Sequence, residues 1–231
     1  MNKLLPAILP AFAALLAAGC AAPRATESAG DVPIRAGTVR LEAPMRSWIE
    51  IQRQHVVMQG LDYSCGAAAL ATVMNYYFGD SVKEIDLLND IIESLSDPDL
   101  EDRKANGLSM LDLKQCAERH GYQVAGVKLT YSSLPKLMGP VIVHLDRKGV
   151  LHFAVLRGLK GDRLYLADPS WGNLRMSIDR FEREWTGYAL ILGKPNFGLP
   201  TDYPMAIREF ETAGNEELAG RRSIFTAQPR M

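Results

Sequence analysis

Four residues are of types and spacings that can do acyl chemistry: Gln59, Cys65, His152 and Asp168. A thiol, an imidazole, a carboxylate and an uncharged amide donor are the parts from which a cysteine nucleophile, its base, the orienter of that base and an oxyanion donor are built. Each residue alone also has a plainer reading. A cysteine in an apolar segment is usually a small buried hydrophobe, a lone strand histidine a satisfied or surface one, an Asp before Pro a turn residue, and a glutamine near a turn a cap. The combination is stronger because each residue stands where the chemistry wants it.

Cys65 follows Ser64 and precedes Gly66 at an expected helix start. There the positive end of the helix dipole and the free first-turn N–H groups favour a thiolate, and Gly66 lets a substrate carbonyl approach the backbone. His152 sits in Val150-Leu151-His152-Phe153-Ala154-Val155-Leu156, otherwise wholly apolar. An imidazole there is costly unless hydrogen-bonded. Asp168 ends the next expected strand, Leu164-Tyr165-Leu166-Ala167-Asp168. Adjacent antiparallel strands bring the end of one beside the other, where the carboxylate holds one ring nitrogen and the other faces the sulfur. His144 is the rival base and Asn173 the rival orienter. Cys116 reads as core, with a redox partnership to Cys65 as its alternative, and His55 and His120 read as surface residues. No His, Cys and Asp pair has zinc-ligand spacing, so no metal is expected, and thiol chemistry calls for no cofactor.

The elements that must position these residues follow from period and punctuation. Cys65–Phe78 is an Ala-rich helix capped by Ser64 and stopped by Gly79. Ser81-Val82-Lys83-Glu84 reads as a capping box opening a second helix, with Leu87, Leu88, Ile91, Ile92 and Leu95 at helical spacing. A third helix opens at Ser109 and ends at His120-Gly121. The period then changes: Tyr122–Lys128, Pro140–Asp146, Leu151–Gly158 and Arg163–Asp168 read as strands, Ser177–Trp185 as a short helix and Tyr188–Leu192 as a last strand. Helices first and strands after predict an α+β fold with an antiparallel sheet.

Three ordered motifs, Gln59-x₅-Cys65-Gly66, His152-Phe153-Ala154-Val155 and Ala167-Asp168-Pro169, resemble the C39-type cysteine peptidases, best known as leader-cleaving domains of bacteriocin exporters. The resemblance covers about residues 55–192. It implies a papain-like fold with Cys65 as nucleophile, His152 as base and acid, Asp168 as orienter and Gln59 in the oxyanion hole. Ser64 stands where the family often has Asp. No exporter membrane domain or ATPase accompanies the motifs, so the double-glycine preference of the exporter forms is not carried over. Some standalone exported members accompany functional-amyloid secretion in Gram-negative bacteria, which makes a co-exported polypeptide the expected substrate. A non-catalytic papain-like binding module or chaperone, and transpeptidation on the same triad, are the alternatives.

The N-terminus, MNKLLPAILPAFAALLAAGC, has one cation, an apolar run too short for a comfortable span, and small residues before Cys20. It resembles a bacterial lipoprotein signal over residues 1–20, with Cys20 acylated, although Ala17 stands where Leu is usual. An ordinary secretory signal and a retained anchor are the alternatives, and all three export the chain. Ala21 rather than Asp after the cysteine favours the outer membrane, so the expected location is periplasmic and lipid-anchored. Residues 21–45 read as a flexible tether, 46–195 as the peptidase domain and 196–231 as a loose tail or short surface helix. The 26 Lys plus Arg against 27 Asp plus Glu leave a net charge of −1, without the basic excess of a nucleic-acid binder. Three cysteines exclude a disulfide-rich scaffold, and no Walker-type glycine loop is present.

Overall fold

The computed structural model describes residues 31–36, 39–44 and 46–212. The signal, Cys20 and the end of the tail lie outside them. The chain divides into two units at Arg46–Ser47. In the first, β1 (Asp31–Ala36) pairs antiparallel with β2 (Val39–Pro44), Ile34 opposite Leu41. Two stretches of the expected flexible tether over 21–45 are thus strands, while residues 21–30 lie outside the described residues. Val32 and Ile34 on one strand, and Val39 and Leu41 on the other, recur at every second residue, a strand period that the Ala- and Pro-rich composition hides.

The second unit opens with α1 (Trp48–Arg53), held by a Ser47/Glu50 capping box. Its centre is α2 (Cys65–Tyr76), in which every residue from Cys65 to Met74 is buried. Ala67, Ala68, Ala69 and Ala71 suit a helix enclosed on all sides, because their short side chains let neighbours approach closely. Packing also requires Gly66, beside the substrate approach expected of it. A Cβ there would lie 2.9 Å from the Leu113 side chain and 3.2 Å from that of Phe153. Ser64 does not cap the helix with its side chain; its hydroxyl donates to Leu61 O and accepts from Leu61 N, closing the preceding turn.

Helix α3 (Glu84–Glu93) buries Leu87, Leu88 and Ile91 as its period predicts, but without the Ser81 box. The Glu84 carboxylate turns away to accept from Gly60 N at 2.9 and 3.1 Å, tying α3 to the segment before Cys65. Helix α4 (Asp97–Asn106) was not anticipated, since it buries nothing and has no apolar period. Its Ser96 N-cap, Pro98 in the first turn and Gly107 at the end, with φ of 86°, are its only signals. Helix α5 (Met110–Arg119) has the Ser109/Asp112 capping box and buries Leu113, Cys116 and Ala117 on one face.

Five helices give way to one antiparallel sheet. Its strands are β3 (Gln123–Lys128), β4 (Val141–Arg147), β5 (Val150–Lys160), β6 (Arg163–Asp168), β7 (Gly172–Ser177) and, after the short α6 (Ile178–Glu184), β8 (Trp185–Gly193), in the order β3-β8-β4-β5-β6-β7. The α+β architecture is therefore as the element order implied. Along β5, Phe153 and Val155 join the core under the helices, while Ala154 and Leu156 join a second core with Val143, Leu145 and Phe181. Burial on both faces is why this strand reads as a continuous apolar run. Lys148 and Gly149, both at positive φ, turn β4 into β5.

The stretch after β8 is also more ordered than expected. Met205 is buried, and Glu211 in the one-turn α7 (Glu209–Thr212) grips the Arg157 guanidinium with both carboxylate oxygens at 2.8 Å. The same guanidinium donates to Met205 O, Ala206 O and Asn173 Oδ1, and Arg175 of β7 donates to Glu211 O, so a C-terminal strap is bolted to β5 and β7.

Candidate active site

Cys65 is the first residue of α2 and is buried at that helix end. His152 lies near the start of β5, and its Nε2 donates to Asp168 Oδ1 at 3.0 Å. The Cys65 side chain also acts on the His152 imidazole, favouring its charged form. With Nε2 committed to the carboxylate, Nδ1 is the nitrogen left for the sulfur. Three of the four expected residues thus meet in one line, across a helix start and two neighbouring strands.

Asp168 is fully buried and accepts from four donors. Oδ1 takes His152 and the backbone N–H groups of Ser170 at 2.8 Å and Trp171 at 3.2 Å. Oδ2 takes Arg147 Nη2 at 2.7 Å. The plainer reading of Asp168 as a turn residue holds as well, for the bond from Ser170 N closes an Asx turn across Pro169. Burial works against the charge on both partners. For His152 it is outweighed by the Asp168 bond and by Cys65, which push the imidazole up to about 9. For Asp168 it is outweighed by the His152 bond, then by the charges of His152 and Arg147, which hold the carboxyl below its usual range.

Gln59 stands beside this line. Its backbone N–H donates to Pro169 O at 2.9 Å, and its Oε1 accepts from Ser170 Oγ at 2.6 Å. Its Nε2 donates to Leu61 O at 2.8 Å and, at 3.4 Å, to Asp62 O. The amide therefore bridges the loop before Cys65 and the loop after Asp168, with its nitrogen end toward the cysteine side.

The rivals are placed elsewhere. The Asn173 amide donates to Gln54 O and accepts from Arg157, so it does not orient His152. His144 hydrogen-bonds Thr186 Oγ1 at 3.0 Å and lies against the Phe153 ring, and burial holds its imidazole low. Cys116 is buried, and its thiol is pushed up to about 12, first by that burial and then by Asp90. Among the described residues, Asp90, Cys116 and His120 come within 4.8 Å of one another, a grouping sequence spacing did not suggest. The Arg119 guanidinium already holds the Asp90 carboxylate through Nε and Nη2. Arg147 and Ser170 were missed: both reach the site only through tertiary packing, and the Asp-Pro-Ser turn was the sole sequence signal for either.

A six-stranded antiparallel sheet with a cysteine-bearing helix packed on it is the papain-like peptidase architecture. The crystal structure of the peptidase domain of Streptococcus ComA, a bi-functional ABC transporter involved in a quorum sensing pathway, superposes with TM-score 0.51 and 27% identity, over 60% of this chain and 97% of that domain. A double glycine motif protease from an AMS/PCAT transporter, solved with its leader peptide, gives 0.50 and 29%, over 61% and 91%. In sequence, the probable functional amyloid protease FapD of Pseudomonas fluorescens is 34% identical over 173 residues, 71% of this chain and 75% of that protein. The protein of the same name from Pseudomonas aeruginosa is 33% identical over 132 residues, and the match spans 57% of its length and 57% of this chain. The profile of the Peptidase C39 family matches residues 53–196, and the chain belongs to that family of peptidases.

Proposed function

We propose that this protein is a cysteine peptidase that cleaves an exported polypeptide through Cys65, His152, Asp168 and Gln59. The Cys65–His152–Asp168 line, with an imidazole that favours its charged form, is the observation that carries this reading. The Cys65 thiolate attacks the peptide carbonyl carbon, and His152 gives its proton to the leaving amine as the C–N bond breaks. Water then adds to the thioester, its proton passing to His152, and the thiolate leaves. Asp168 holds the imidazolium throughout. Gln59 Nε2, on giving up its long contact to Asp62 O at 3.4 Å, and a backbone N–H at the start of α2 are the donors to the oxyanion in this reading.

The relatives named as functional amyloid proteases support a substrate co-exported with such a system. The lipoprotein-like N-terminus supports a periplasmic, lipid-anchored setting. Incubating the purified full chain with co-exported polypeptides, beside Cys65→Ala, and reading fragment masses tests the whole reading. Fragments with the wild type alone are expected. Identical fragments from both proteins exclude a role for the thiol. An uncut polypeptide held equally by both marks a binding module, and fragments carrying an added amine mark a transpeptidase.

A further inference from the structure

The carboxylate of Asp168 divides its two oxygens. Oδ1 serves His152 and two backbone N–H groups, while Oδ2 serves Arg147 alone. Arg147 is the last residue of β4, and its register partner is Val150, two residues before His152. Its Nε donates to Glu184 Oε2 at 3.3 Å, and Glu184 Oε1 in turn accepts from Arg180 at 2.7 Å. An alternating series of charges therefore runs from the buried site to the surface: His152, Asp168, Arg147, Glu184, Arg180. None of the three outer members belongs to the Cys–His–Asp line.

We propose that Arg147 is a positioning residue that fixes the Asp168 carboxylate and, as its buried countercharge, sets the pH window in which Cys65 and His152 share their proton as a thiolate–imidazolium pair. The inference rests on the reading of Cys65 and His152 as a catalytic pair. Its physical basis has two parts. A carboxylate held at one oxygen turns about its last torsion, whereas one held at both keeps its plane and so aims Oδ1 at His152. A thiolate, an imidazolium and a carboxylate together carry one net negative charge, which a buried site tolerates poorly. The Arg147 guanidinium cancels it.

That second part gives a signature a structural role lacks. Removing a positive charge near two titrating groups makes both hold their protons more tightly, so both edges of the window rise together. Mere loosening of the pair moves the edges toward each other instead. The groups facing the pair are Cys65 from α2, Asp168 from β6, and His144 and Arg147 from β4, with Asp146 acting on His144 and Glu184 from α6 acting on Arg147.

The test titrates the full chain. Thiolate ultraviolet absorbance, read against Cys65→Ser, gives the acid edge, and imidazole NMR of His152 gives the alkaline edge. In Arg147→Met both edges are expected to rise by about one pH unit at unchanged width, an effect of the size a buried unit charge exerts at this range. Arg147→Lys, which keeps the charge, is expected to restore most of the window. Glu184→Gln, which removes the anion on the far side of Arg147, is expected to lower both edges by a few tenths and serves even where Arg147→Met does not fold. Edges that converge, or that stay put in both Arg147→Met and Glu184→Gln, overturn the proposal. A wild-type protein whose thiolate appears only near the free-thiol value of about 8.5 overturns the catalytic pair itself, a failure visible before any Arg147 variant is made.

Discussion

His152 would stay neutral if burial decided its state, and it is the Asp168 bond and Cys65 that bring it up to about 9. The consequence for stability has a definite sign. A histidine raised above its ordinary 6.5 stabilises the fold fully below that pH, and the contribution is lost as pH rises through about 9. Asp168, held below its ordinary 3.8, stabilises above that pH, and its contribution is lost as pH falls through the lowered value. Denaturant unfolding should therefore show a plateau from about pH 4 to 6.5 with falling stability on either side, and Asp168→Asn should flatten both slopes. Parallel slopes in the two proteins would remove this pair as their origin. Gln59 makes a second case at this scale. Loss of an oxyanion donor typically costs about 10²–10³ in kcat. Gln59→Ala is expected to lose turnover on that order while Cys65 alkylation and thermal unfolding hold steady. Since Nε2 also binds Leu61 O, an unfolded or misassembled loop in this variant would instead make Gln59 a structural bridge.

Each element contributes to the site by what it fixes. Helix α2 delivers Cys65 because Gly66 lets Leu113 of α5 and Phe153 of β5 close on its first turn. The β5–β6 pairing, Val155 opposite Ala167, sets how far along the sheet His152 and Asp168 meet. Glu84 of α3 holds Gly60, next to Gln59. The C-terminal strap is the element with the largest testable energy. Arg157 is almost wholly buried, and Glu211 is its only carboxylate partner among the described residues. Breaking a buried ion pair from one side costs about 3–5 kcal/mol. Glu211 retains some exposure, which brings the expectation for Glu211→Ala to roughly 2–3 kcal/mol in denaturant unfolding. A loss below about 1 kcal/mol would make the strap an ornament rather than a clamp. Asn173 binds both Arg157 and Gln54 O, so the strap also bears on the segment leading to Gln59.

At the scale of the whole molecule, the family match ends at residue 196, while the strap continues to Thr212 and packs on the same sheet. The folded domain of this chain is therefore longer than the shared family core. Among the described residues no helix is long and apolar enough to cross a membrane. In the lipid-anchored setting proposed above, attachment would come through Cys20, where the multiple acyl chains of a lipoprotein would give stable anchoring and one chain gives little. Mature protein should partition into the detergent-rich phase, and Cys20→Ser should move it to the aqueous phase. Aqueous partition of both forms would remove the anchor.

Sequence alone determined what depends on local pattern. The switch from helical to alternating period marked an α+β chain, Ser109-x-x-Asp112 opened α5 where expected, and the apolar run around His152 singled out a histidine that needs a partner. Spacing could do this because helix, strand and cap are decided within a few residues. It failed where the local signal is weak or ambiguous: α4 has no apolar face, the Ser64 side chain makes no cap bond to α2, and Ser81 does not open α3. Only the tertiary structure shows that Asp168 bonds His152 while His144 bonds Thr186, and that the Asn173 amide is taken up by Gln54 O and Arg157. The two histidines, like Asn173 and Asp168, lie on neighbouring strands, and the register sets the members of each pair on opposite faces of the sheet: His144 stands opposite Phe153 and His152 opposite Leu145, Asn173 opposite Ala167 and Asp168 opposite Gly172. A strand's partner and register are chosen by contacts made across the fold. Arg147 belongs to the same class. Nothing at the end of β4 distinguishes its guanidinium from any other until β5, β6 and α6 bring His152, Asp168 and Glu184 around it.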